Sequence, residues 1–139
     1  MAADMKGGAH LLLVEDEPVA AKMLSRILSL EGFRVSTAPD GVAALEQWAD
    51  ESPDALITDL KMPRGGGGDL VREARALHAD LPIVVITGYF TSDVERELKE
   101  LGVATILLKP VALSDLIDAI KNALPPRRGL IRRASRCFV

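Results

Sequence analysis

Five short apolar runs, each the length of one strand, recur along the chain: Leu11-Leu12-Leu13-Val14, Phe33-Arg34-Val35-Ser36-Thr37, Ala55-Leu56-Ile57-Thr58, Ile83-Val84-Val85-Ile86-Thr87 and Thr105-Ile106-Leu107-Leu108. Segments with helical spacing separate them. Parallel neighbours need a crossover between them, and a right-handed crossover lays a helix on a face of the sheet. The alternation therefore demands an α/β fold, a doubly wound parallel sheet of five strands with helices on both faces. The near-continuous apolar character of the runs fits strands buried on both sides.

The helical segments carry start and stop signals. Pro18 suits a first turn, and Ala20, Met23, Leu24, Ile27 and Leu28 then share one face, with Gly32 ending the helix. Asp40 is expected to cap a second helix through Val42, Leu45 and Trp48, and Asp69 to open a third through Leu70, Ala74 and Leu77. Ser92-Asp93-Val94-Glu95 has capping-box spacing for a fourth, and Ser114 is the expected cap of a fifth bearing Leu116, Ile117, Ile120 and Leu124. Pro125-Pro126 stops it.

At 139 residues the chain is one domain with one core. No apolar run approaches the roughly 20 residues of a membrane span, and MAADMKGGAH lacks the regions of a signal peptide. A soluble, cytoplasmic protein that does not enter a membrane is expected. Cys137 has no partner for an internal disulfide, and with only His10 and His78 there is no Cys/His set for zinc. Any metal would be a hard ion held by oxygen. The formal charge is −3, but Arg127, Arg128, Arg132, Arg133 and Arg136 all fall in 126–139, so removing those five from 17 basic residues leaves 12 against 20 acids, or −8. An acidic body argues against nucleic-acid binding there. The arginine-rich 125–139 segment reads as a basic tail or linker on a domain spanning 9–124.

In a parallel sheet all strand C-termini leave one edge, where ligands bind. In the flavodoxin-like order 2-1-3-4-5, strands one, three, four and five are consecutive neighbours. Glu15-Asp16-Glu17 follow strand one, Asp59 follows strand three, Thr87 ends strand four and Lys109-Pro110 follow strand five. Carboxylates converging in this way repel unless a cation joins them, and oxygen ligands suit Mg2+ with its retained waters. Thr87 as a hydroxyl donor and Lys109 as a point charge match phosphoryl oxygens. Such a site is equipped for phosphoryl transfer onto the free carboxylate of Asp59.

Val14-Glu15-Asp16-Glu17-Pro18, Asp59-Leu60-Lys61-Met62-Pro63 with Gly67 and Leu70, Thr87-Gly88 and Lys109-Pro110, in that order, resemble the receiver domain of two-component response regulators over roughly residues 9–124. The resemblance implies that Asp59 is the phosphoacceptor, Glu15 and Asp16 the acidic pair, and that Asp16, Asp59 and the Lys61 backbone carbonyl hold Mg2+. It implies that Thr87 and Lys109 bind the phosphoryl group, with a cis bond before Pro110, and that Lys61 and Tyr89 set the dephosphorylation rate. The donor would be a histidine kinase or a histidine phosphotransfer protein. A downstream protein or output domain, or a second copy in a homodimer, would meet the helix four, strand five, helix five face. Such a receiver is not an enzyme with a turned-over substrate; it catalyses its own phosphotransfer and autodephosphorylation.

The pattern departs from the family at Ile106, the switch position three residues before the lysine, where an aromatic is usual, and Val111 replaces another aromatic. Coupling through Thr87 and Gly88-Tyr89-Phe90 is the expected substitute. Two further readings compete, a pseudo-receiver that binds without phosphorylation and a Mg2+-dependent phosphohydrolase. The latter needs a second acid where Lys61 stands. Glu17 reads as a helix-start acid, Trp48 as packing, His10 and His78 as surface or strand-edge residues, and Cys137 as an unreactive tail thiol. The Gly65–Gly68 run lacks the Gly-Lys-Ser/Thr of a P-loop and reads as a flexible loop.

Overall fold

A computed structural model describes residues 8–61, 67–88 and 90–125. Met62, Pro63, Gly65, Gly66, Tyr89, Pro126, Cys137 and the arginines of the tail lie outside the described residues. The elements alternate as β1(His10–Val14), α1(Pro18–Leu30), β2(Arg34–Ala38), α2(Gly41–Asp50), β3(Ala55–Asp59), α3(Gly67–Leu77), β4(Ile83–Thr87), α4(Ser92–Glu100), β5(Thr105–Leu108) and α5(Leu113–Ala123). All strand pairings are parallel and the order is β2-β1-β3-β4-β5. The sheet is therefore the doubly wound, flavodoxin-like one expected from the alternation.

Successive side chains of a strand face opposite sides of the sheet, and the core divides accordingly. Leu11, Leu13, Ile57, Val84 and Ile86 pack with Leu28 of α1 and Leu116 and Ile120 of α5. Leu12, Val14, Leu56 and Val85 pack on the other side with Trp48 of α2, Leu70, Val71 and Ala74 of α3 and Leu98 of α4. Each such fully buried aliphatic side chain contributes about 1.5–3 kcal/mol relative to exposure. β1, β3 and β4 are buried along their whole length, whereas the edge strands β2 and β5 are partly exposed.

Two helix ends match their sequence signals. Asp40 accepts from the Ala43 N–H at 2.8 Å at the start of α2. Gly32 adopts φ 100 after α1, with the Gly32 N–H donating to Ser29 and the Phe33 N–H to Leu28. Several expectations are corrected. Strand two starts at Arg34 and runs to Ala38, one residue later than the apolar run. α3 starts at Gly67, so Asp69 lies inside its first turn, where its carboxylate faces the positive end of the helix dipole. Thr91, not Ser92, caps α4, because Thr91 keeps an extended backbone (φ −131, ψ 166) and accepts from the Val94 N–H at 3.2 Å. Ser114 does not cap α5; the helix already starts at Leu113, and its cap position, Ala112, makes no side-chain bond. Met23 and Leu77, placed on apolar faces, are 53% and 61% exposed, since the narrow buried stripes of α1 and α3 pass them by. His10 is buried rather than on the surface, because β2 continues the sheet beyond β1, and its Nε2 lies 2.7 Å from Ser36 Oγ. His78 is exposed and Trp48 is packed, as read.

Candidate functional site

The parallel topology delivers the expected side chains to one edge. Asp59 is the last residue of β3 and Thr87 the last of β4, and both are buried. Val14 pairs with Thr58 and Asp59 with Ile86, so the ends of β1, β3 and β4 are aligned. Lys109 follows β5, held by its N–H donating to the Thr87 carbonyl at 2.9 Å, with a cis peptide before Pro110.

Lys109 Nζ lies 2.5 Å from Asp59 Oδ2 and 3.9 Å from Glu15 Oε1. The other Asp59 oxygen accepts from the Lys61 N–H at 3.2 Å. Glu15 is buried, its N–H donates to the Ala38 carbonyl at 3.0 Å, and its carboxylate accepts from the Glu17 N–H at 3.1 Å. Asp16 is exposed beside it. Glu17 takes the helix-start role, accepting from the Val19 N–H at 3.3 Å as the cap of α1.

The electrostatics follow from this convergence. Burial raises the Glu15 pKa above the ordinary glutamate value, with the Glu17 N–H and Lys109 pulling it back and the Asp59 charge pushing it up. Burial pulls the Lys109 ammonium down, but the hydrogen bond and charge of Asp59, with Glu15 and Asp16, outweigh it and leave the pKa raised. One ammonium thus balances several carboxylates on an edge that would otherwise repel itself.

Among the described residues no three acidic, histidine or cysteine side chains form a ready metal cage. The oxygens expected to hold a metal, the carboxylates of Glu15, Asp16 and Asp59 and the Lys61 carbonyl, would make an open set of hard donors. That composition fits Mg2+, which keeps several waters and uses few protein ligands.

Of the residues singled out from sequence, the fold brings Glu15, Asp59 and Lys109 into one charge network and places Thr87 against it through the backbone. Ile106 stands in β5, half-buried, packed on the core beside α4. Tyr89 lies outside the described residues. Sequence reasoning missed the Glu17 N–H that holds the Glu15 carboxylate, and Thr58, whose buried hydroxyl donates to the Asp59 carbonyl at 2.7 Å. No residue-type signal marks a backbone donor; a hydroxyl beside a strand-end acid is one signal that could have found Thr58.

Fold and strand-end site together define a signalling receiver. The family model for the response regulator receiver domain matches residues 11–121, and the chain belongs to that family. Response regulator MprA of Mycobacterium leprae is 38% identical over 115 residues, covering 83% of this chain and 50% of that protein. Sporulation initiation phosphotransferase F of Bacillus subtilis is 29% identical over 115 residues, covering 83% of this chain and 93% of that one. Among solved structures, chemotaxis protein CheY4 of Vibrio cholerae superposes with TM-score 0.79 at 28% identity, covering 84% of this chain and 99% of that one. A receiver domain from Clostridium thermocellum gives 0.77 at 31% identity, covering 83% and 93%. The chain spans about half the length of MprA. No helix among the described residues is long and apolar enough to cross a membrane.

Proposed function

We propose that the chain accepts a phosphoryl group on Asp59 and signals by the rearrangement that follows. The observation that carries this is the Lys109 ammonium 2.5 Å from a buried strand-end carboxylate, with Glu15 beside it. A histidine kinase or a histidine phosphotransfer protein would supply the group: its P–N bond breaks, an Asp59 Oδ–P bond forms, and the imidazole leaves with a proton. Asp59 is the nucleophile. Lys109, which now holds Asp59, would pair with a phosphoryl oxygen, and the Thr87 hydroxyl would donate to another. Bound Mg2+, on Glu15, Asp16, Asp59 and the Lys61 carbonyl, would neutralise charge on the transferring group. The Lys61 side chain, exposed at the mouth of the site, and Tyr89 would set how fast water reaches the acyl phosphate.

Residues 9–124 would form the receiver and 125–139 a basic linker or tail. A partner, an output domain or a second copy would dock on α4, β5 and α5, where Phe90, Leu108 and Leu113 are 38%, 53% and 40% exposed. The decisive experiment is intact-protein mass spectrometry after incubation with Mg2+ and acetyl phosphate. One added phosphoryl group in the wild type and none in Asp59→Asn supports the reading. Equal labelling of both chains refutes Asp59, and no labelling of either, with a cognate kinase also failing, favours a receiver fold that binds without phosphorylation.

A further inference from the structure

At the other edge of the sheet, where the strands begin, stands a histidine that the strand-end site does not use. His10 opens β1 and is 5% exposed, with its backbone N–H donating to the Asp54 carboxylate at 2.7 Å. In the parallel register His10 pairs with Arg34 and Leu12 with Ser36. Alternate residues of a strand share a face, so His10 and Ser36 stand on the side where Leu12 and Ala38 pack with Trp48 of α2. The Nε2 of His10 lies 2.7 Å from Ser36 Oγ. Its Nδ1 has no hydrogen-bond partner, and no other buried side-chain nitrogen or oxygen among the described residues lacks one. Glu51 Oε2, at the end of α2, lies 3.7 Å from that Nδ1, too long for a hydrogen bond but within ion-pair reach.

Charge decides which ring nitrogen carries the proton. A neutral imidazole has one N–H and one lone pair. With the proton on Nε2, the Nδ1 lone pair would face the Glu51 carboxylate, negative against negative. With the proton on Nδ1, the N–H faces that charge and the Nε2 lone pair accepts from the Ser36 hydroxyl, so this tautomer wins. It requires Glu51 to stay ionised, and Arg34 sees to that. Its Nη2 lies 2.8 Å from Glu51 Oε2, and this hydrogen bond, with the charge of His10 next, lowers the Glu51 pKa. Carboxylate, imidazole and hydroxyl therefore stand in the order that activates a serine, a constellation defined by geometry and not by fold.

A cavity of about 180 Å³ opens on this row, lined by His10, Ser36 and Glu51 together with Leu12, Gln47 and Asp50. Pockets for drug-sized ligands run to roughly 300–1,000 Å³, so this one takes only a small group. Asp50 and Glu51 repel anions and favour a neutral one. Gln47 gives one amide N–H to the Thr37 carbonyl at 2.7 Å, which leaves its second N–H for an oxygen in the cavity. Ser36 is half-buried and so within reach of solutes. We propose that Ser36 is a base-activated nucleophile that accepts a small acyl group, of acetyl size, from a neutral activated ester. Ser36 Oγ bonds to the acyl carbon, the bond from that carbon to the leaving oxygen breaks, and the Ser36 proton passes through His10 Nε2 to the leaving oxygen. His10 is the base, Glu51 positions its proton on Nδ1, and Gln47 meets the carbonyl oxygen as charge develops on it. This site goes beyond the phosphoacceptor reading and does not depend on it.

Two small probes on the full chain test it. Methanesulfonyl fluoride traps an activated serine, an Oγ–S bond forming as S–F breaks, and intact mass with peptide mapping locates the adduct. The nitrophenolate released from p-nitrophenyl acetate reads acyl transfer directly. One methanesulfonyl group per wild-type chain, on Ser36, is expected, and Ser36→Ala should lose both signals. His10→Gln should slow both about a hundredfold, as for loss of a general base, and Glu51→Gln should slow them by less. Nitrogen-15 NMR of the His10 ring, recorded above neutral pH, gives a readout that packing alone would not move. The wild type should carry its proton on Nδ1, and Glu51→Gln should shift it toward Nε2. No adduct on Ser36, acyl transfer equal in Ser36→Ala, or a wild-type proton on Nε2 overturns the proposal. If His10→Gln does not fold, Ser36→Ala and the ring spectra decide. Neither probe reads Asp59, so the proposal and the phosphoacceptor reading fail separately.

Discussion

Asp59, the proposed nucleophile, is held as half of an ion pair. Its Oδ2 is held by Lys109 and its Oδ1 by the Lys61 N–H, so the carboxylate is oriented before any phosphoryl donor arrives. The same ammonium that orients it would meet the charge that develops on the transferring group, and interactions of that kind act on the rate rather than on the resting fold. Lys109→Ala should therefore slow acetyl phosphate labelling of Asp59 by about a hundredfold, the usual loss for one preorganised charge-stabilising group. Mass-spectrometric time courses at saturating Mg2+ measure it; an unchanged rate would make Lys109 a mere counter-ion of the resting state. The acid, the hydroxyl and the ammonium were all legible in the sequence, since each stands at the C-terminal end of an apolar run and the fold class sends those ends to one edge. Arg75 was not legible. Its partners are backbone carbonyls of two turns, and an arginine in the last turn of a polar helix reads as solvated until those turns are brought together.

Helix boundaries show how far local chemistry reaches at the scale of elements. A hydroxyl caps only if its own backbone is still extended, and that depends on where tertiary structure lets the helix begin. Thr91 and Asp40 meet the condition, whereas Ser92 and Ser114 already lie within helices. Asp40→Ala should accordingly cost about 1 kcal/mol in urea unfolding, and Thr91→Ala a similar amount. Ser114→Ala should lie within about 0.5 kcal/mol of wild type, as for a surface position without a special role. A Ser114→Ala loss equal to that of Asp40→Ala would mean that α5 starts later than Leu113. The strands were read more accurately than these caps, because apolar runs buried on both faces leave little freedom in a parallel sheet; strand two, at the edge, is where the reading slipped by a residue.

For the whole molecule, the site exists only because the sheet does. Glu15 and Asp16 follow β1, Asp59 ends β3 and Lys109 follows β5, residues far apart in sequence that converge only when the strands pair. A cation bound by those oxygens binds the native state and not the unfolded chain, so it must raise stability by mass action. At a Mg2+ concentration ten times its dissociation constant the gain is about 1.4 kcal/mol, seen as an upward shift of the thermal midpoint that chelation with EDTA reverses. The direction distinguishes the acids from Lys109. Asp16→Asn removes a donor without touching the Lys109–Asp59 pair, and should abolish most of the shift while leaving the metal-free midpoint near that of wild type. Lys109→Ala removes a competing cation from Asp59, and should lower the metal-free midpoint but enlarge the shift. A chain whose midpoint ignores Mg2+ in all three forms would have no divalent site at this edge.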